Sequence, residues 1–236
     1  LQEVNNIIID NIGNEVPLIK DLSKHILASG GKRIRPMVTL LSSRLCNYSG
    51  NNQLYLAACV EFIHTATLLH DDVIDESKMR RGVTTANDIF GNKTSVLVGD
   101  FLFSRAFELM VQYGSKQILE VLSKASSTIA QGEVLQLTTI NDSSTSKELY
   151  MKIITNKTAS LFSAASKISA ILSEEKDIIQ KSLKIYGQKL GIAFQLVDDA
   201  LDYAGTSALD KSIGDDFREG KMTLPVIISL EKSNPE

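Results

Sequence analysis

Residues 54–75, LYLAACVEFIHTATLLHDDVID, form the stretch that decides the fold. From 54 to 69 it is nearly all apolar, as in a helix buried at the centre of a helical protein. It ends in a D-D-x-x-D pattern at 71–75, and residues four apart share one helix face, so Asp71 and Asp75 point the same way. Like charges at this spacing destabilise a helix, so a compensating cation is expected. Mg²⁺ suits this position because it prefers carboxylate and phosphate oxygens.

The same pattern recurs at 198–202 as DDALD. One copy alone could be a solvated acidic stretch. Two copies, each directly after apolar residues, instead favour carboxylates that line a cleft and hold several Mg²⁺ ions around one diphosphate. The candidate metal ligands are Asp71, Asp72, Asp75, Asp198, Asp199 and Asp202.

Helical periodicity extends along most of the chain. Apolar residues at helical spacing occur in 38–45, 96–111, 118–140, 150–172 and 178–203, with polar or glycine-containing loops between them. Proline is scarce, and no Asn-Gly or Asp-Gly hairpin signal occurs. No linker-like change of composition interrupts the pattern. The sequence therefore predicts one all-α domain over 1–236, with the two acidic motifs facing a central cavity.

The overall composition excludes several classes of protein. The net charge of −3 gives no general attraction to nucleic acid or to an anionic membrane. Cys46 and Cys59 lack the spacing of a metal site and are interpreted as buried thiols in a reducing compartment. No uncharged apolar run is long enough to suggest a transmembrane helix, and a cytoplasmic location is expected.

Two basic segments could bind the anion that the acidic motifs imply. GGKRIRP at 30–36 places three cations at a helix start, where free N–H groups attract phosphate. Lys32 and Arg35 lie one turn apart and could clamp a diphosphate, although an ordinary basic helix start has the same pattern. Arg80 and Arg81 follow the first motif and suit bidentate phosphate contacts, the alternative being a solvated pair.

Each of the other candidate polar residues has a functional and a structural interpretation. Lys157 lies in an apolar helical stretch, where it either extends to solvent or serves a site. Lys211 and Lys221 stand in a glycine-rich part of the chain that either closes over a ligand or is plain surface. His64 precedes Asp71 by seven residues and so shares its helix face, which would place it in the cleft. The alternative is a core residue, which a lone histidine on an apolar helix more often is.

Five motifs occur in a fixed order along the chain. They are G-K-x-x-R-P at 31–36, D-D-x-x-D followed by R-R-G at 71–82, K-T at 157–158, F-Q-x-x-D-D-x-x-D at 194–202 and G-K-x-T-L-P at 220–225. In this combination the chain resembles the trans-isoprenyl diphosphate synthases, also termed polyprenyl synthetases, from about residue 30 to 225. The segment 62–72 is most similar to their bacterial long-chain members.

The resemblance implies an isoprenoid-synthase-type helical bundle around a central cavity. It also implies an enzyme that condenses isopentenyl diphosphate with an allylic diphosphate. The product would be a long all-trans polyprenyl diphosphate, with octaprenyl favoured, for quinones such as ubiquinone. A homodimer with loose membrane contact through its product is expected, and the chain is expected to lack the C-terminal helices of the family.

The resemblance also implies roles for individual residues. The two acidic motifs would hold three Mg²⁺ ions. The allylic diphosphate would be bound by Arg80, Lys157, Gln195, Lys211 and Lys221. Isopentenyl diphosphate would be bound by Lys32, Arg35, His64 and Arg81, with Thr158 beside the reacting carbons. The groups expected to be catalytic are Asp71, Asp72, Asp75, Lys157, Thr158 and Asp198.

Product length is expected to depend on the residues one to two turns before Asp71. Ala66 and Thr67 stand there instead of the aromatic stop that short-chain members often carry, which predicts a longer product. Two alternatives remain open: a class I terpene cyclase, and a regulatory prenyl synthase subunit without turnover. A helical metal phosphohydrolase is disfavoured, because the chain has only three histidines.

Overall fold

The computed structural model describes residues 1–28, 31–80, 82–204 and 214–233. The helices are α1 (Gln2–Ile12), α2 (Pro17–Ala28), α3 (Ile34–Leu45), α4 (Asn52–Ile74), α5 (Ala86–Phe90), α6 (Asn92–Tyr113), α7 (Lys116–Leu137), α8 (Lys147–Ile154), α9 (Ser160–Leu172), α10 (Asp177–Ala204), α11 (Asp215–Arg218) and α12 (Leu224–Lys232). A π-helical turn at Thr155–Ala159, here named the π-turn, joins α8 to α9. The predicted all-α fold is confirmed.

The apolar stretch that precedes the first acidic motif is the centre of the bundle. It lies in α4, which packs against α1, α3, α6 and α9. Leu56, Ile63 and Leu69 are fully buried, and Phe62 is 2 % exposed. Each such side chain contributes about 2 kcal/mol through its burial. The core therefore fixes the position of the C-terminal end of α4, where the motif stands.

The second acidic motif lies on α10, the longest helix. This helix packs along α9 and the π-turn, and the π-turn also contacts α7. The π-turn thus contacts both α7 and α10, and its Lys157 reaches Asp71 at the end of α4. None of the described helices is both long and apolar enough to cross a membrane.

Local structure departs from the sequence predictions in two places. The predicted continuous helix over 150–172 is interrupted by the π-turn, which helical periodicity does not reveal. Within the predicted loop after α4, β1 (Met79–Arg80) pairs antiparallel with β2 (Val83–Thr84), and Gly82 adopts the left-handed region with φ +73°. Pro36 is the third residue of α3, still within the first turn, where a missing N–H costs nothing.

Candidate active site

The first acidic motif closes the C-terminal end of α4. Glu76 has a left-handed φ of +50°, so the chain turns back immediately after the motif. This reversal returns Arg80 on β1 to Asp72, where its Nε and Nη2 both donate to Oδ1, at 2.8 and 2.7 Å. Asp72 is 2 % exposed, and burial raises its pKa although Arg80 acts in the opposite direction. The buried Asp72 therefore holds the guanidinium of Arg80 in place.

Lys157 of the π-turn approaches the same motif from another side. Its ammonium lies 2.5 Å from Glu133, 2.9 Å from the amide oxygen of Gln136 and 3.5 Å from Asp71. Burial lowers the pKa of Lys157, but Asp71 and Glu133 outweigh it and the net pKa is raised. Burial and the charge of Asp71 raise the pKa of Glu133 to about 7, against the opposing effect of Lys157.

Lys221, just before α12, forms an ion pair with Asp75, the third acid of the first motif. Its ammonium donates to Asp75 and to Glu219, at 2.7 Å each. Burial alone would lower the pKa of Lys221, but these two carboxylates raise it. Gly220 has φ +73°, a left-handed backbone conformation that favours glycine at the turn before Lys221.

The second motif is held through a chain of hydrogen bonds. The hydroxyl of Thr158 donates to Gln195 at 2.7 Å, and the amide of Gln195 donates to Asp199 at 2.7 Å. The hydroxyl of Tyr150 donates to the other oxygen of Asp199 at 2.5 Å. Burial and this bond raise the pKa of Tyr150, and burial raises that of Asp199.

The other two acids of the second motif, Asp198 and Asp202, differ in exposure. Asp198 is exposed on α10. Asp202 is 7 % exposed, and its Oδ2 accepts from the backbone N–H of Asp216 at 3.3 Å. Its buried Oδ1 has no hydrogen-bond partner among the described residues. Hard carboxylate oxygens of this kind, one of them buried and orphaned, fit Mg²⁺ better than a soft metal.

Among the described residues, the carboxylates do not form a closed metal cage. In the part of the chain that the structure describes, no three His, Cys, Asp or Glu side chains converge closely enough to hold a metal ion alone. Asp71, Asp72 and Asp75 each pair with a different cation instead. Mg²⁺ typically takes one or two carboxylates and completes its shell with waters and substrate phosphates, so such an arrangement suits it.

A second basic group lies at the start of α3. Arg35 contacts the ring of His64 at 3.0 Å, and its guanidinium stacks 4.5 Å from the centre of the Phe162 ring. Arg33, in the left-handed region with φ +48°, pairs with the buried Glu61 of α4. These two links fix the start of α3 to the central helix. Lys32 is exposed immediately before it.

The other predicted residues are placed as follows. Ala66 is fully buried on α4, whereas Thr67 is half-buried and donates to the carbonyl of His64 at 2.8 Å. Arg81 and Lys211 lie outside the described residues.

Sequence reasoning missed several polar residues of the site. They are Glu61, Glu133, Gln136, Tyr150 and Glu219. The signal for Glu133 was weak: an acid beside a glycine in the apolar stretch 118–140.

This combination of an all-α bundle, two acidic motifs and interleaved cations defines an enzyme that handles a diphosphate with divalent metal. The chain matches the sequence model of the polyprenyl synthetases over residues 16–236. It belongs to the polyprenyl synthetase family and is a trans-prenyltransferase. The resemblance in the sequence motifs is therefore confirmed.

Individual relatives support the same assignment. The chain is 51 % identical over 234 residues to octaprenyl diphosphate synthase of Escherichia coli. The alignment covers 99 % of this chain and 72 % of that protein. The crystal structure of a Caulobacter crescentus polyprenyl synthase, complexed with calcium and isoprenyl diphosphate, superposes with a TM-score of 0.95 at 51 % identity, covering 98 % of this chain and 71 % of that one. The crystal structure of a decaprenyl diphosphate synthase from Rhodobacter capsulatus superposes with a TM-score of 0.94 at 49 % identity. The match covers 99 % of this chain and 73 % of that one. The cyclase and regulatory-subunit alternatives receive no support from these similarities.

Proposed function

We propose that this enzyme condenses isopentenyl diphosphate with an allylic diphosphate, in the presence of Mg²⁺, to make a long all-trans polyprenyl diphosphate. One observation carries the proposal above the others. Arg80, Lys157 and Lys221 each hold one carboxylate of the first motif. A diphosphate entering with its metal ions can exchange the contacts of the two lysines, because their ammonium groups then pair with phosphate oxygens, and Asp71 and Asp75 pair with metal. Arg80 stays on Asp72.

The accessible acids are the best candidates for direct metal ligands. Asp71 and Asp75 are half-buried on one side of α4, and Asp198 is exposed on α10. Asp72 and Asp199 are buried and bound to their own donors, so we assign them to positioning Arg80 and Gln195. Asp202 contributes its orphaned oxygen from the second motif.

We propose three Mg²⁺ ions, following the resemblance. When bound, Mg²⁺ neutralises the charge that develops on the departing diphosphate. The relative from Caulobacter, complexed with calcium and isoprenyl diphosphate, supports a divalent ion beside this substrate class.

The protein side chains divide between the two substrates. Arg80, Lys157, Gln195 and Lys221 would bind the allylic diphosphate, together with Lys211. Lys32, Arg35 and His64, together with Arg81, would bind isopentenyl diphosphate. The stacking of Arg35 on Phe162 fixes its guanidinium beside the apolar core.

The chemistry separates charge and then forms a carbon–carbon bond. The C–O bond of the allylic substrate breaks, and the diphosphate leaves with the electron pair. The double bond of isopentenyl diphosphate attacks the resulting allylic cation, and a proton then passes to the departed diphosphate, which restores a double bond. Water would quench the cation, so the apolar wall around Leu69 and Phe194 has to exclude it. The hydroxyl of Thr158 would lie beside the reacting carbons.

We further propose octaprenyl diphosphate, for a quinone side chain, as the product. The fully buried Ala66 on α4 supports a long product, since this position adds no aromatic obstruction. The 51 % identity to an octaprenyl diphosphate synthase, over 99 % of this chain, supports that length.

The proposed reaction is tested by incubating the purified protein with farnesyl diphosphate, labelled isopentenyl diphosphate and Mg²⁺. After removal of the diphosphate, we expect a ladder of polyprenols ending at one dominant length. A chelator should abolish the ladder, and added Mg²⁺ should restore it. A hydrocarbon product would instead identify a cyclase, and bound substrates without turnover would identify a regulatory subunit.

A homodimer in the cytoplasm is also proposed. The exposed side chains of Leu97, Phe107 and Val111 lie on one face of α6, and self-association would remove them from water. Leu97→Glu combined with Val111→Glu should convert a dimer into a monomer in light scattering. An unchanged mass for this variant would place the interface elsewhere, and a monomeric parent protein would contradict the dimer.

A further inference from the structure

The π-turn gives two neighbouring residues access to two different motifs. Lys157 contacts Asp71 of the first motif, and Thr158 reaches Asp199 of the second motif through Gln195. π-turns inside α-helices are rare overall, but those that occur are often found at functional sites. The backbone position of this one turn therefore sets the geometry of both halves of the site.

Two glycines allow neighbouring helices to touch the π-turn closely. A Cβ on Gly132 of α7 would lie 2.6 Å from the backbone nitrogen of Lys157 and 3.0 Å from its Cα. A Cβ on Gly191 of α10 would lie 2.6 Å from the Cα of Ala159. These neighbours are backbone atoms, so they cannot rotate away as the end of a flexible side chain would.

The contact from α7 coincides with the ligands of the Lys157 ammonium. Glu133 follows Gly132 directly, and Gln136 lies one helical turn further on. One face of α7 therefore supplies both the surface that seats the backbone of Lys157 and two acceptors for its side chain. Moving this backbone would draw the ammonium away from Asp71.

We propose that Gly132 is a positioning residue for prenyl transfer, which holds the π-turn so that Lys157 and Thr158 meet the two acidic motifs together. This inference rests on the proposed function. Gly191 acts on the same turn from α10. Neither glycine touches substrate, and both act through the residues of the turn.

Gly132→Ala tests this role. The added methyl has to displace the π-turn, and misplacement of a catalytic group by about 1 Å costs about a hundredfold in rate. We expect kcat to fall about thirtyfold to a hundredfold, with the KM for isopentenyl diphosphate unchanged, because Arg35 and His64 lie on other elements. Binding of inorganic diphosphate with Mg²⁺, measured by calorimetry, should weaken about tenfold.

The matched control is Gly114→Ala, between α6 and α7. Its Cβ would lie 2.5 Å from the carbonyl oxygen of Met110, a clash of similar severity away from the π-turn. It should lower the melting temperature but leave kcat and diphosphate affinity within about threefold of the parent. A Gly132→Ala protein with the same profile as this control would overturn the proposal.

Ala159→Gly keeps the test decisive if Gly132→Ala does not fold. It removes one methyl from the π-turn itself and frees its backbone, so a folded protein is expected. Diphosphate affinity should fall about threefold without any change in the KM for isopentenyl diphosphate, and unchanged affinity would contradict the proposal. An inactive parent protein would refute the proposed function, whereas an active parent with unaffected variants would refute only the positioning role.

Discussion

Asp71→Ala is expected to lower kcat about a thousandfold while leaving the fold intact. Asp71 is a half-buried carboxylate at the end of α4 and lies 3.5 Å from Lys157. Its removal takes away a proposed metal ligand at the point where charge develops on the leaving diphosphate, and single groups of this kind contribute about 10²–10³ in rate. The measurement is the initial rate of polyprenol formation at saturating substrates over a range of Mg²⁺ concentrations.

The protein should tolerate this substitution structurally. Lys157 keeps its contacts with Glu133 and Gln136, and one like-charge repulsion with Asp75 disappears. The melting temperature should therefore stay the same or rise slightly. Asp10→Ala, an exposed acid on α1, is the matched control and should retain full activity. A rate for Asp71→Ala within tenfold of the parent would exclude Asp71 as a metal ligand.

The helical framework could be predicted because helices leave a local signature. The apolar run 54–69 predicts a buried helix, and α4 is the central helix. The π-turn has no such signature, since the apolar spacing of 150–172 continues through it. Gly132 of α7 and Gly191 of α10 approach its backbone closely, and a local pattern cannot contain such contacts between separate helices.

The acids of each motif look equivalent in the sequence but differ in the structure. Helical spacing predicts a shared face for Asp71 and Asp75, yet it says nothing about Asp72, which points into the protein and binds Arg80. In the second motif the same spacing would pair Asp198 with Asp202, but the first is exposed and the second buried. Burial depends on neighbouring helices, so the division of labour within a motif emerges only from tertiary structure.

Lys157→Ala is expected to reduce kcat about a hundredfold, the usual effect of losing one group that stabilises developing charge. The ammonium of Lys157 contacts both Asp71 of the first motif and the acceptors Glu133 and Gln136 of α7. Lys157→Arg should not restore the rate, because a planar, forked guanidinium does not replace a compact ammonium among Asp71, Glu133 and Gln136. Lys152→Ala, an exposed lysine of α8, is the matched control and should behave like the parent.

A double variant separates the two roles that Lys157 could have. If Lys157 served only to neutralise Glu133, then Glu133→Gln would remove the need for it, and Lys157→Ala/Glu133→Gln would recover the activity of Glu133→Gln alone. If Lys157 transfers from Glu133 to the diphosphate, the double variant should stay about a hundredfold slower than Glu133→Gln. The second outcome is expected, because a carboxylate whose pKa is raised to about 7 by burial and by Asp71 binds its cation less firmly than a fully ionised one. Glu133 would then hold the ammonium ready beside Asp71 and release it when phosphate oxygens arrive.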